Sequence, residues 1–274
     1  MNEQIVNKIE ALPPLPKTII ELEEFRKKQN KEINELLTIV EKDALIVSTL
    51  LKIVNSAMFG FRTKVETPNR AVNLLGINFT ISVAIGGSIQ NLLKTSLKPY
   101  GITSDDFMKA SNIASTLATF WLSKIEVENQ DDIILASLLQ ETGKFIIASI
   151  INNEGKAEAF LQMIEDSSIL QAENSFLNTN TSKVTAQIFR HWKLSENLIN
   201  CIDSLDNLES VEPEFKQRVE ILNVIRAASN VLEPLSDESI GKAIDLAKSF
   251  KLDTATLLVA IDELKEKLAR DELL

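Results

Sequence analysis

Apolar residues recur along this chain at intervals of three and four with little strict alternation, so the spacing predicts helices throughout and no firm strand. Leu12-Pro13-Pro14-Leu15-Pro16 is an extended entry, because each proline restricts the residue before it. It delivers the chain to a helix from about Lys17 that buries Ile19, Leu22 and Phe25. A second helix presents Ile33, Leu36, Leu37 and Val40. A third starts near Asp43, whose carboxylate can cap free amides, and presents Leu45, Leu50, Leu51 and Val54. The run from Asn55 to Gly60 breaks the pattern, and Pro68 opens a short helix through Leu75 that Gly76 stops.

Ala71 to Leu93 carries no charged residue and is about long enough to cross a bilayer. Asn73, Asn78, Thr80, Ser82, Ser88, Gln90 and Asn91 would each be costly among lipid tails, while Ile77, Ile81, Ile85, Ile89 and Leu92 keep helical spacing. A helix buried in a globular core is therefore expected here, with no membrane insertion. Tyr100-Gly101 and the acidic start at Ser104-Asp105-Asp106 mark the next boundary, a subdomain junction, with a helix to about Lys124. Asp131-Asp132 begins a helix so densely apolar from Ile133 to Ile151 that it is expected to form the core axis. Further helices are expected around residues 157–166, 168–176, 182–192 and 195–205. From Glu214 onward three amphipathic helices can be drawn, broken at Glu233-Pro234 and near Lys251-Leu252-Asp253.

Composition narrows the function. The 274 residues hold 29 Lys and Arg against 39 Asp and Glu, a net charge of −10 that repels a phosphate backbone, so nucleic acid is not an expected partner. The local basic run Arg26, Lys27, Lys28 and Lys31 is interleaved with Glu21, Glu23, Glu24, Glu32 and Glu35, as on a solvated helix face. Cys201 is the only cysteine, which excludes an internal disulfide and a multi-cysteine metal cage and fits a reducing compartment. Residues Met1 to Glu10 lack the continuous apolar stretch of a secretory signal, so a cytoplasmic location is expected.

Candidate chemistry is sparse. His191 is the only histidine, and a nucleophilic pair with Cys201 is disfavoured because a turn near Leu194-Ser195 separates their helices. A buried cysteine and a surface histidine beside a core Trp192 is the expected arrangement. Gly86-Gly87-Ser88-Ile89-Gln90 starts like a nucleophile elbow but lacks its final glycine and lies within a helix, where the glycines would permit close packing or a bend. Asp105-Asp106 and Asp131-Asp132 stand where helix starts favour negative charge, so capping is expected of them before acid–base work.

Three segments, Leu12 to Pro16, Glu41 to Gly60 (EKDALIVSTLLKIVNSAMFG) and Arg70 to Gly76 (RAVNLLG), resemble the HDOD domain family in order and spacing. Ala136 to Ile147 (ASLLQETGKFII) is similar to the family's central helix, a hydrophobic run followed by His-Asp and Ile-Gly-Lys, with Gln140 and Glu141 at the His-Asp position. Thr181 to Leu194 resembles the later helix that a His opens and Trp-x-Leu-Pro closes, with Thr181 in place of that His and Ser195 in place of that Pro. Ala110-Ser111 aligns with an upstream His-Ser and Leu205-Asp206 with a late His-His, while Asp43-Ala44 departs from the usual Asp-Pro. The resemblance covers residues 12–207.

It implies an all-α, multi-helix HDOD/HD-like bundle with an N-terminal helical half at 1–100, a degenerate HD-like half at 101–210 and a C-terminal helical extension at 211–274. Active HD sites gather imidazoles and carboxylates around metal ions that activate water. This chain has no imidazole at any aligned position, and Glu141 alone cannot fix a dinuclear centre. The resemblance thus implies no metal, no cofactor and no catalysis. It leaves Ala110, Gln140, Glu141, Lys144 and Thr181 as a relic pocket, with Lys144 a charge partner for Glu141, and Asp43, Asn55, Ser56, Gly60, Gly76, Gly143 and Trp192 serving the fold. A bacterial signal-transduction role through other signalling proteins, or through a small ligand, is expected in motility, chemotaxis or cyclic-dinucleotide control. The alternatives are a residual metal-dependent phosphohydrolase and a nucleotide sensor without turnover.

Overall fold

The computed structural model describes residues 3–56, 59 and 63–271. Its helices are α1 (Glu3–Glu10), α2 (Lys17–Arg26), α3 (Ile33–Val40), α4 (Ala44–Val54), α5 (Pro68–Leu75), α6 (Ile77–Leu92), α7 (Ser104–Leu122), α8 (Gln130–Leu139) and α9 (Gly143–Asn153). They continue with α10 (Ala157–Asp166), α11 (Ile169–Leu177), α12 (Thr181–His191), α13 (Glu196–Asp203), α14 (Pro213–Ala228), α15 (Asp237–Ser249) and α16 (Thr254–Asp271). No strand occurs among the described residues, and the all-α reading holds.

The expected core axis is two helices. Gln140 to Thr142 stay close to helical angles, but Thr142, Lys144 and Phe145 donate their amides to carbonyls three residues back, which tightens the turn and separates α8 from α9. The freed Gln140 carbonyl accepts the Thr185 hydroxyl at 3.2 Å, and the Gly143 amide donates to that hydroxyl oxygen at 2.8 Å. Helix α12 therefore clasps the break. Gly143 is required there, because a Cβ would lie 2.4 Å from the Thr181 carbonyl oxygen and 2.9 Å from the Thr185 amide nitrogen. Around this axis, α6, α7, α13 and α14 pack on α8, whereas α1, α10 and α12 pack on α9. The stretch Gln130–Asn153 is apolar and long enough to cross a membrane, but its most apolar window is 94% buried within the protein. The uncharged stretch bends by 116° between α5 and α6 at Gly76, whose φ is +79°, and nearly all of α6 is buried.

Several motif residues act locally. Asp43 caps α4 by accepting the Leu45 and Ile46 amides, and Asp106 completes a capping box with Thr103 at the start of α7. The Asn55 amide grips the Val65 backbone through both its N–H and C=O, at 2.7 and 2.8 Å, and the Ser56 hydroxyl donates to the Ile53 carbonyl at 2.6 Å. Trp192 donates its indole N–H to the Pro13 carbonyl at 2.9 Å, tying the proline entry to the end of α12. Gly60 lies outside the described residues. Gly86 and Gly87 mark close packing: a Cβ on the first would strike Leu138 on α8 and one on the second Thr49 on α4.

Four expectations need correction. Helix α1 was not anticipated, because its core contribution is only Ile5 and Ile9. Leu45 is half exposed, and Ile46 and Ile53 take the buried face of α4 with Leu50 and Val54. Arg26 is not on a solvated face: it is 6% exposed, forms a bidentate pair with Glu23 at 2.8 and 2.9 Å and reaches Asp132 and Ser195 across the fold. Asp132 in turn is 7% exposed, so its carboxylate is an internal ion-pair partner in addition to standing in the first turn of α8.

Candidate functional site at the break between α8 and α9

The turn that parts α8 from α9 gathers charged groups from five places in the chain. Lys144, the second residue of α9, is 1% exposed, and its ammonium lies 2.7 Å from a Glu141 carboxylate oxygen and 3.5 Å from Glu173 on α11. It also donates to the Thr181 hydroxyl at 3.1 Å and stands 4.9 Å from the Tyr100 ring centroid, over its face. Glu173 accepts the Thr181 amide at 2.6 Å, the Thr181 hydroxyl at 2.5 Å and the Tyr100 hydroxyl at 2.8 Å. Its negative charge thereby sits at the N-terminus of α12, where the helix dipole favours it. From the other side α14 delivers Arg226, which donates to Glu141 at 2.8 Å and to Asp206 at 2.7 Å.

Electrostatics follow from this pairing. Burial alone would push the Glu141 carboxyl up, but Lys144 and Arg226 outweigh it and hold it at about 2. Burial likewise disfavours a charged Arg226, yet Glu141 and Asp206 reverse the sign and keep its guanidinium more firmly protonated than usual. Burial, then Glu173, raises Tyr100 well above the ordinary phenol value, so its proton stays on the hydroxyl that Glu173 accepts.

Of the expected pocket residues, Glu141, Lys144 and Thr181 meet in this cluster. Gln140 is 2% exposed, but its side-chain oxygen has no hydrogen-bond partner, so the polar contacts expected of that side chain are incomplete. Ala110 is buried on α7, where its methyl group offers no donor. Glu173, Tyr100 and Arg226 were not foreseen. Asp206, aligned only as a late histidine position, pairs with Arg226.

The residues do not fit a metal centre. The aligned positions present a methyl group, a neutral amide, a hydroxyl, the leucine side chain of Leu205 and two carboxylates that already hold cations, none of them the imidazoles on which such a centre depends. An entering divalent ion would have to displace buried ion pairs beside an ammonium and a guanidinium, both of which repel it. Outside the cluster, Cys201 is buried and burial pushes its thiol up to about 12, while His191 is exposed, so the two make no nucleophilic pair. The cluster opens on a cleft of about 670 Å³ between α11, α14 and α15, with Leu170 and Leu232 exposed on its walls.

The HDOD domain family matches residues 12–208, and this chain belongs to it. An uncharacterized protein of Treponema pallidum (strain Nichols) is 24% identical over 229 residues, 77% of this chain; the chain spans 41% of that curated relative's length. An HDOD domain protein of unknown function from Geobacter sulfurreducens superposes with a TM-score of 0.72 at 17% identity, covering 96% of this chain and 94% of that one. A virulence factor from Campylobacter jejuni subsp. jejuni gives 0.58 at 24% identity, covering 98% and 100%. At these identities the structures share a fold.

Proposed function

We propose that this chain is a non-catalytic signalling module of the HDOD family that works in the cytoplasm by binding other signalling proteins. The observation that carries the reading is the pairing at Glu141: every carboxylate that could take a metal in the cluster is engaged by Lys144 or Arg226. Water activation for attack on a phosphoester needs a cation with an open position, and these contacts supply neither. What the cluster does supply is rigidity, because it joins α9, α11, α12 and α14 at the base of an open cleft. A cleft with a fixed polar floor and the apolar walls Leu170 and Leu232 suits an amphipathic segment of a partner.

Site-specific photo-crosslinking from position 170 or 232 tests this. One dominant adduct, identified by mass spectrometry and re-formed from purified components, is expected, with Leu232→Asp abolishing it. Adducts confined to chaperones, or a reconstituted complex indifferent to Leu170→Asp and Leu232→Asp, would contradict it.

A further inference from the structure

A second cavity, of about 700 Å³, lies between α4, α6 and α7 with Phe145 of α9 at its wall. That size falls in the range of about 300–1,000 Å³ usual for small-molecule sites. Ile53, Leu93 and Phe145 give it apolar surface, and Gln90 and Asn112 line it as well. Both polar atoms of the Gln90 amide, and the side-chain oxygen of Asn112, are shut off from water without any hydrogen-bond partner. An orphaned buried amide destabilises a protein, and a leucine of similar size would remove that cost. Gln90 can turn into the cavity without breaking a bond, because it has none to break. At the mouth stand Lys52 and Lys94, both exposed, with Asp105 the one acidic residue among the described residues that line the cavity.

These features define a ligand. An amide that offers a donor beside an acceptor pairs two-fold with the N6 and N7 edge of adenine, and comparable edges exist on guanine. Apolar walls accept the faces of a flat ring, and two lysines at the mouth accept an anion. A polynucleotide is disfavoured by the net charge of −10, whereas a single nucleotide needs only this local field. We propose that the cavity binds a purine mononucleotide, the base read by Gln90 and the phosphate held by Lys52 and Lys94. This site is separate from the Glu141 cluster, and the proposal does not depend on the partner-binding reading.

The test is titration calorimetry of the full chain with AMP, GMP, adenosine and inorganic phosphate, paired with thermal unfolding. One-to-one binding of AMP or GMP is expected, weaker for adenosine and absent for phosphate alone. Gln90→Leu should weaken the nucleotide at least tenfold while the unliganded protein melts at the same or a higher temperature, which separates lost recognition from lost folding. Lys52→Met with Lys94→Met should bring the nucleotide down to the affinity of adenosine. No binding of either nucleotide at millimolar concentration, binding unchanged by Gln90→Leu, or phosphate binding as well as AMP would overturn the proposal.

Discussion

The Lys144 cluster and the Gln90 cavity are both buried and polar, and they treat their polar groups in opposite ways. In the first, an ammonium and a guanidinium are matched to three carboxylates, although Gln140 Oε1, Thr142 Oγ1 and Asp206 Oδ2 beside them lack partners. In the second, an entire amide goes unmatched beside open volume. Matched groups hold helices in register and have little left to offer a ligand. Unmatched groups weaken the fold and keep their full hydrogen-bonding capacity for something that enters. The contrast gives a structural duty to the position where the family resemblance looks for chemistry, and sets the proposed nucleotide cavity apart from it, between α4, α6 and α7.

The largest expected effect is at the cluster. Lys144→Met leaves Glu141 and Glu173 without their shared cation, and breaking a buried pair this way costs about 3–5 kcal/mol. Urea unfolding measures it, and an unchanged midpoint would remove the cluster from the list of things that hold the fold.

Acid comes next. The folded value of the Glu141 carboxyl, about 2, lies below its ordinary 4.5, so its contribution is complete above pH 4.5 and is lost as the pH falls toward 2. The loss is on the order of 3 kcal/mol. Glu141→Gln should flatten the stability profile across that window, and a slope equal to the wild type would contradict the pairing.

Gly143→Ala should cost about 2 kcal/mol, because its methyl group meets the Thr181 carbonyl and the Thr185 amide, both backbone. It would also loosen the seat of Lys144 beside Thr181. Thermal unfolding at full yield with no loss would mean that α9 and α12 do not cross so closely. The smallest effect has the opposite sign: Gln90→Leu should raise stability by about 1 kcal/mol, and a fall of that size would show that the amide has a partner after all.

Helix positions were readable because apolar spacing is a local signal, and breaks at Gly76, Gly101 and Glu233-Pro234 carry their own backbone chemistry. Helix α1 escaped because two isoleucines in eight residues make too faint a stripe. Arg26 and Asp132 were misread for a different reason: each obeys a local rule, solvated charge or helix-start carboxylate, while its partner lies 106 residues away. Glu141 and Lys144 were legible as an i,i+3 pair on one helix face. Glu173 and Arg226 were not, since each sits on a different helix with no motif around it, and only packing brings them to Lys144 and Glu141. Gly143 was recognisable by its place in a pattern, yet the reason for it, a helix crossing too tight for a methyl group, belongs to the fold alone. Gln90 was visible only as a polar residue in an uncharged helix, and nothing in the sequence distinguishes a paired amide from an orphaned one.

If the charges at the break between α8 and α9 are matched to each other, they leave no place there for a catalytic cation. Titration of the purified chain with manganese, iron and zinc, combined with an assay for phosphodiester cleavage, tests this most directly. No ion should be retained after gel filtration, and cleavage should run at the rate of buffer. One or two equivalents of metal held tightly, with turnover that Glu141→Gln abolishes, would contradict it.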